Sequence, residues 1–361
     1  MELIELTRNL IDISSVTGSE AEIGYFLAGY LQSLRYRVEL QEVQPARFNI
    51  IATTGSSPRF VISTHMDTVP PHIPSSEDEQ NIFGRGACDA KGIIAAQLMA
   101  AERLRREGID DIGLLFTVDE ELDSRGARVA NEHPFASQCC YLINGEPTNN
   151  KLASGTKGSL RLSIRTKGCA AHSAYPEQGE SAIEKLLDVL ASIRSCRWPA
   201  DECLGETSCN IGVISGGTRA NVIPAEAQAD LQIRLVTESE QIKQMLEQAI
   251  DGRAQVQYSS EHQPMRLFVP RGFASSAVRF TTDIPYLTNW GTPLLVGPGS
   301  ILAAHTAHEH VAKSDLAEAV ELYVRLVSML AGKDLSPGCN SQGDRVREHE
   351  DQKGLSHGVQ S

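Results

Sequence analysis

The chain has 361 residues and a formal net charge of −13, and its sequence pI is near 5.3. This charge argues against nucleic acid or an anionic membrane as a partner, because both require a basic surface. No apolar run reaches the roughly 20 residues of a transmembrane helix, and the acidic, amphipathic amino terminus does not resemble a signal peptide. Eight cysteines without a Cys-x-x-Cys spacing favour a reducing, cytoplasmic location and argue against a thiolate zinc site.

The first 158 residues alternate between helical and strand patterns. Apolar spacing predicts helices over residues 3–13, 21–34 and 93–106, and strands over residues 37–43, 49–53, 60–65, 114–118 and 141–143. Ser19 and Glu22 have the spacing of a capping box for the second helix. Strands that alternate with helices predict a mostly parallel sheet covered by helices on both faces.

Metal-binding residue types follow three of these strands. His65 ends the first, the run Asp119 to Glu121 follows the second, and Glu146 follows the third. Ligands bind at the carboxyl edge of open α/β sheets. Asp67 follows His65 by two residues, so the two side chains lie on the same face. A ligating histidine commonly has a carboxylate in this position, which holds its second ring nitrogen.

A glycine-rich turn over residues 83–92 precedes the helix at 93–106. Such a turn can hold a phosphate group, but its spacing fits neither the dinucleotide-binding motif nor the P-loop. Asp89 also stands where an anion would have to bind. A nucleotide site is therefore not predicted here.

The pattern changes after residue 158. Strands are predicted over residues 160–166, 208–214 and 227–236, and helices over residues 182–193 and 240–250, the latter opened by a Thr237/Glu240 capping box. This order is typical of a small α+β unit with an antiparallel, ferredoxin-like sheet. We predict a catalytic domain over 1–158 and 265–331, an inserted domain over 159–264, and a disordered tail over 332–361.

Together these side chains suit a metal site. They comprise two imidazoles and four carboxylates: His65, Asp89, Glu120, Glu121, Glu146 and His305. Such ligands suit a pair of zinc, cobalt or manganese ions. Two metals can activate one water, and a carboxylate that does not ligate must then take its proton. Glu120 and Glu121 could divide these roles between base and ligand.

Five motifs give the chain a close resemblance to a known family. They are His65-Met-Asp-Thr-Val-Pro70, Gly84-Arg-Gly-Ala-Cys-Asp-Ala-Lys-Gly92, Asp119-Glu-Glu121, Gly145-Glu-Pro-Thr148 and Ala304-His-Thr-Ala-His-Glu309. In order and spacing they resemble the M20 metallopeptidases and amidohydrolases, which include acetylornithine deacetylase, succinyl-diaminopimelate desuccinylase, aminoacylase and glutamate carboxypeptidase. The resemblance covers residues 1–331 and implies a mostly parallel-sheet zinc-hydrolase domain with an inserted lid and dimerisation domain.

The resemblance also implies a role for each site residue. Asp89 would bridge two metals, with His65 and Glu146 completing one site and Glu121 and His305 the other. Glu120 would be the general base, and Asp67 would orient His65. His172 would reach the partner subunit's active site to steady the oxyanion, while Asn221 and Arg234 would hold the substrate carboxylate. Arg234 suits this role because its guanidinium is permanently charged and binds bidentately.

The function predicted is hydrolysis of an amide bond in an N-acyl amino acid, as in acetylornithine deacetylase. A dipeptidase or carboxypeptidase with the same site is the alternative, since the motifs do not separate them. A non-catalytic binding protein on this fold is a third, less favoured reading, because every ligand and base position is filled. The resemblance further predicts a homodimer formed through the lid.

Overall fold

The computed structural model describes residues 1–55 and 57–333. Before residue 158 the elements are α1 (Leu3–Asp12), α2 (Ala21–Ser33), β1 (Arg37–Gln44), β2 (Arg47–Thr53), β3 (Phe60–His65), β4 (Ser76–Glu77), β5 (Asn81–Phe83), α3 (Lys91–Arg106), β6 (Ile112–Thr117), α4 (Arg125–Ala130), β7 (Tyr141–Asn144) and β8 (Leu152–Thr156). The next are β9 (Gly158–Lys167), α5 (Ala182–Arg194), β10 (Ala200–Asp201), β11 (Gly205–Glu206), β12 (Ser208–Gly216), β13 (Glu226–Leu235), α6 (Ser239–Ile250) and β14 (Gln255–His262). The last are β15 (Met265–Arg266), β16 (Ser275–Val278), β17 (Thr292–Leu295), β18 (His310–Ala312) and α7 (Lys313–Lys333).

A six-stranded sheet forms the centre of the larger unit, in the order β1-β2-β6-β3-β7-β17. The last four strands are parallel, whereas β1 and β2 join antiparallel. Strands β3 and β6 are buried along their whole length, because helices cover both faces and both sets of alternating side chains meet a core. Ile62 faces the core formed with α1, α2, α3 and α7, while its neighbour Val61 faces the core that includes α4.

A second sheet has the order β12-β13-β9-β14 and is antiparallel throughout. Helices α5 and α6 cover one of its faces and bury the alternating apolar residues of β9 and β13, such as Leu162 and Ile233. The strand–helix order is the one predicted, so the α/β fold with an inserted α+β unit is confirmed. The exact domain boundaries stay predictions, and the predicted tail lies outside the described residues from position 334 onward.

Both predicted capping boxes are wrong. Helix α2 is preceded by Glu20 rather than Ser19 at its cap position, and no side chain caps it. The Glu20 carboxylate instead accepts hydrogen bonds from the guanidinium of Arg47. Helix α6 likewise begins at Ser239, and the backbone N–H of Ser239 donates to the Gln263 side chain at 2.9 Å. At α6 a side chain from a distant part of the chain thus replaces the local cap, whereas at α2 the Glu20 side chain binds Arg47 and caps no helix N–H.

Among the described residues, none of the helices combines the length and apolar character needed to cross a membrane.

Candidate metal centre and active site

The parallel strands of the central sheet bring the predicted ligands to one edge. Strands β6, β3 and β7 are adjacent and parallel, so His65, Glu121 and Glu146 follow neighbouring carboxyl ends. Asp89 approaches this edge from the turn before α3, and His305 from the segment before β18. This edge is where an open α/β sheet binds its ligand.

Asp89 lies at the centre of the site. Its Oδ1 is 2.9 Å from Nε2 of His65, and its Oδ2 is 3.3 Å from Nε2 of His305. The same nitrogen of His305 is 2.9 Å from Oε1 of Glu121. One carboxylate thus presents its two oxygens to two imidazoles, which is the arrangement required of a ligand shared by two cations.

The donor set fits a metal ion. Ligand atoms of His65, Asp89 and Glu121 lie within 4.8 Å of one another. Nδ1 of His65 lies 2.9 Å from the carbonyl oxygen of Asp67, a contact in which the ring N–H donates. In a neutral imidazole, Nε2 then carries the lone pair. That lone pair faces the Asp89 carboxylate, so the two groups need a proton or a metal cation between them.

The charges of the site support the same conclusion. Burial raises the pKa of Glu120 and of Glu146 well above the usual range, and neighbouring carboxylates raise both further. Hydrogen bonds to Asp89 and Glu121 raise the pKa of His305 to about 10. A buried group of carboxylates of this kind is unfavourable without compensating positive charge. Divalent cations would supply that charge.

Asp67 makes a contact that the sequence did not predict. Its carboxylate accepts hydrogen bonds from the backbone N–H groups of Glu120, at 3.1 Å, and Glu121, at 3.2 Å. Thr17 donates to the same carboxylate at 2.9 Å. The distance from Oδ1 of Asp67 to Nδ1 of His65 is longer, at 3.6 Å. The side chain of Asp67 therefore holds the Glu120–Glu121 turn, while its carbonyl group contacts the His65 ring.

A buried ion cluster supports the same turn from behind. Asp119, which precedes Glu120, has a left-handed φ of 71°, a strained conformation for a residue with a side chain. Nη2 of Arg47 lies 2.7 Å from the Asp119 carboxylate, and Nε of Arg47 lies 2.7 Å from Glu20. All three side chains are buried. Sequence reasoning missed Arg47, which lies 72 residues before Asp119 and in no recognised motif.

Glu309 is the second residue that sequence reasoning missed. It is buried, pairs with Arg85 at 2.6 Å, and accepts hydrogen bonds from the backbone of the glycine-rich turn. Gly86 in this turn has a φ of 91°, and a Cβ there would lie 2.7 Å from the Lys91 side chain. The sequence did contain a signal for Glu309, because this residue ends the motif that contains His305.

The residues predicted to act from the lid lie apart from the metal ligands. His172 and Asn221 are both exposed, and their segments are joined by a bridge from His172 to Val222 and by a hydrogen bond of 3.0 Å from Ser173 N–H to the Asn221 carbonyl. Within the described residues, neither side chain has a hydrogen bond or ion pair to a predicted metal ligand. Arg234 is half-buried in β13.

Comparison with known proteins now identifies the family. The sequence pattern of peptidase family M20/M25/M40 matches residues 61–329. The chain belongs to this family. It is 39% identical over 339 residues to a peptidase M20 domain-containing protein of Schizosaccharomyces pombe, covering 90% of this chain and 84% of that protein. It is 36% identical to a probable carboxypeptidase of Talaromyces marneffei, covering 90% and 85%.

Solved structures show the same fold. A tripeptidase from Staphylococcus aureus superposes with a TM-score of 0.75 at 19% sequence identity, covering 91% of this chain and 98% of that one. The family resemblance predicted from the five motifs is therefore confirmed. Membership of the M20 peptidases makes this protein a hydrolase of amide bonds, as predicted.

Proposed function

We propose that this M20 protein is a two-metal hydrolase that releases an amino acid with a free carboxylate from a linear amide. The observation that carries the proposal is the central position of Asp89, with one oxygen toward His65 and the other toward His305 and Glu121. His65 and Glu146 would hold one cation, Glu121 and His305 the other, and Asp89 both. The donor set suits zinc, and also cobalt or manganese.

Glu120 is the proposed general base. When bound, the metals lower the pKa of a water and polarise the substrate carbonyl. Glu120 takes the proton of the attacking water and passes it to the leaving nitrogen. The contacts from Asp67 to the backbone of Glu120 and Glu121 hold base and ligand in a fixed relation. In this way a single carboxylate, Asp67, orients both the base and one metal ligand.

Arg234 is proposed to bind the carboxylate of the substrate, together with Asn221. Its guanidinium can form two parallel hydrogen bonds with a carboxylate. An N-acyl amino acid and a dipeptide both present such a carboxylate next to the scissile amide, so both fit the site. An N-acyl amino acid, as in acetylornithine deacetylase, is the substrate class predicted first. A carboxypeptidase or dipeptidase reaction is the second candidate, favoured by the relative named a probable carboxypeptidase.

The protein is proposed to act as a homodimer formed through the lid. Strand β12 is an edge of the lid sheet, and its side chains Val213 and Ile214 are 54% and 55% exposed. Exposed apolar side chains on an unpaired edge favour pairing with another chain. His172 would then reach the site of the other subunit and steady the oxyanion there. We also propose a cytoplasmic location, because the spacing of the eight cysteines argues against a disulfide framework.

A hydrolysis screen tests this function. Metal-free protein is assayed with and without zinc, cobalt or manganese on N-acetyl, N-succinyl and N-formyl amino acids and on dipeptides, and the released amino acid is quantified. We expect metal-dependent release from at least one of the classes that carry a free carboxylate, and none from the matched amides of that carboxylate. A complete lack of hydrolysis would support the non-catalytic binding protein instead.

A further inference from the structure

A group of basic side chains lies at one end of the open face of the lid sheet. In the sheet register Arg161 is opposite Gln232, and both Arg234 and His262 are opposite Ser159. Because side chains alternate between the two faces of a strand, these residues share the face away from the buried core. Their chain neighbours Leu160 and Ile233 belong to that core.

This end of the lid meets the catalytic unit at Tyr286 and α4. Nε2 of His262 forms a hydrogen bond with the hydroxyl of Tyr286, and the guanidinium of Arg128 stacks on the Tyr286 ring, 3.8 Å from its centroid. Arg128 lies in α4, which follows the Glu120–Glu121 turn. Tyr286 thus joins His262 to Arg128, and His262 shares its face of the sheet with Arg161 and Arg234. Burial, followed by the charges of these three arginines, lowers the pKa of His262.

The three guanidinium groups, which we call the arginine cluster (Arg128, Arg161 and Arg234), lack an acidic partner. Among residues 1–55 and 57–333, none of them forms an ion pair with a carboxylate. Arg161 donates from Nε to the amide oxygen of Gln232 at 2.8 Å, which leaves its outer nitrogens available. Arg128 reaches a backbone carbonyl, that of Asp123, at 3.4 Å.

The arginine cluster lacks an acidic partner in the described part of the chain, although the chain is acidic overall. Its 46 acidic residues outnumber its 33 lysines and arginines, so carboxylate partners are abundant elsewhere. Like charges held together are unfavourable unless an anion compensates them. Glu261 precedes His262 but pairs with Lys243 at 2.6 Å. The arginine cluster therefore has no acidic partner among the described residues and is open to an anion from outside the chain.

We propose that the arginine cluster binds a second carboxylate, so that the preferred substrates release an acidic amino acid, aspartate or glutamate. This inference rests on the proposed function, in which Arg234 binds the carboxylate next to the scissile amide. Arg161, beside Arg234 on the same face, would bind the side-chain carboxylate through its free outer nitrogens. A neutral analogue lacks the charge that would pair with Arg161, so it should bind more weakly than the dicarboxylate.

The test compares N-acetylglutamate with N-acetylglutamine, which have nearly the same shape but differ in the second charge. Binding is measured by calorimetry on the metal-loaded Glu120→Gln variant, which is expected to bind substrate without turnover. We expect N-acetylglutamate to bind at least about tenfold more tightly. Adding Arg161→Gln to the Glu120→Gln variant should remove this preference by weakening the binding of N-acetylglutamate, while the affinity for N-acetylglutamine stays the same.

Arg165→Gln is the matched control. Arg165 lies on the same strand and face as Arg161 and also donates from Nε to a glutamine side chain, that of Gln228, at 2.9 Å. Arg165 is four residues along β9 from Arg161 and is not part of the arginine cluster, so its substitution should leave the preference for glutamate intact.

The possible outcomes separate this inference from the proposed function. Equal binding of the two compounds, or an equal loss of preference in both arginine variants, would overturn the second-carboxylate site. Hydrolysis of neutral substrates by the wild type would in that case still support the proposed function. Preferential binding of N-acetylglutamate without hydrolysis of any substrate would support the anion site and overturn the enzyme assignment.

Discussion

Oε1 of Glu309 accepts a hydrogen bond from the backbone N–H of Asp89 at 3.2 Å. The same oxygen accepts from the N–H groups of Gly86, at 2.9 Å, and Cys88, at 3.3 Å, and Oε2 pairs with Arg85 at 2.6 Å. Glu309 is 1% exposed. The buried carboxylate of Glu309, which is not a proposed ligand, therefore fixes the backbone that carries Asp89, the proposed central ligand.

The first prediction concerns Glu309→Gln. Glutamine keeps the size of the side chain but removes the negative charge that binds Arg85 and accepts hydrogen bonds from three backbone N–H groups. We expect the affinity for zinc or manganese to fall about 10- to 100-fold, as is typical when a group that orients a metal ligand is changed. Titration calorimetry on the metal-free protein measures this affinity.

Glu107→Gln provides the control for that measurement. Glu107 forms an exposed ion pair with Arg103, and its loss should leave metal affinity unchanged. Thermal unfolding of both metal-free variants establishes that they fold. If a folded Glu309→Gln protein bound metal as tightly as the wild type, Glu309 would have no role in positioning Asp89.

The second prediction separates the roles of Glu120 and Glu121. Replacing Glu120 with glutamine removes the proposed base, so kcat should fall about 100- to 10,000-fold while metal content stays at the wild-type level. Glu121→Gln should instead reduce metal binding, because Glu121 faces His305 and Asp89. Metal content by atomic absorption and kcat on the best substrate of the screen are measured for both variants. The opposite pattern would exchange the two roles.

The sequence predicted the elements whose signals are local. Strand β3 is buried on both faces, and its apolar run over residues 60–65 matches its observed bounds. The sequence also indicated which side chains meet at one edge of the sheet, because strands of a parallel sheet end at a common edge. The order of strands and helices in the lid followed from alternating apolar periods.

What the sequence could not predict depends on contacts between distant segments. Strand β8 pairs with β15 and β16 through residues such as Thr156 and Met265, and neither short strand has a periodic pattern. Glu20 was not expected at a helix start because its partner, Arg47, lies 27 residues away. Asp67 was assigned to His65 on the basis of spacing, whereas its hydrogen bonds to the Glu120–Glu121 turn depend on the tertiary fold.

The third prediction concerns the stability of the buried cluster around Arg47. Arg47→Met would leave the buried Glu20 carboxylate without its cation and Asp119 with only the longer contact from Arg125, at 3.7 Å. Removing one member of a buried ion cluster costs about 3–5 kcal/mol, so the free energy of unfolding of the metal-free protein should fall by this amount in urea titrations.

Arg103→Met is the comparison for Arg47→Met. Arg103 pairs with Glu107 and Glu321 on the surface, and exposed pairs contribute about 0–1 kcal/mol. Equal losses in the two variants would mean that the Arg47 cluster contributes no more than a surface pair. Because Asp119 precedes the Glu120–Glu121 turn, we also expect Arg47→Met, but not Arg103→Met, to weaken metal binding.

The fourth prediction concerns the dimer. Ile214→Lys places a charge on the exposed edge of β12, and edge charges oppose strand pairing. Sedimentation should show a dimer for the wild type and a monomer for this variant. Leu40→Lys is the control, because Leu40 is an exposed apolar residue on β1, the edge strand of the central sheet. It should leave the dimer intact.

Subunit complementation then tests whether His172 acts across the dimer. A His172→Ala subunit keeps its metal ligands and base but lacks the lid imidazole, whereas a Glu120→Gln subunit keeps the imidazole but lacks the base. Each homodimer should be nearly inactive. A mixed dimer would contain one complete site, so an equal mixture that has exchanged subunits should recover about a quarter of wild-type activity, because half of the dimers are mixed. If no activity returned although mixed dimers formed, His172 would act within its own subunit, and an active His172→Ala homodimer would show that it has no role in catalysis.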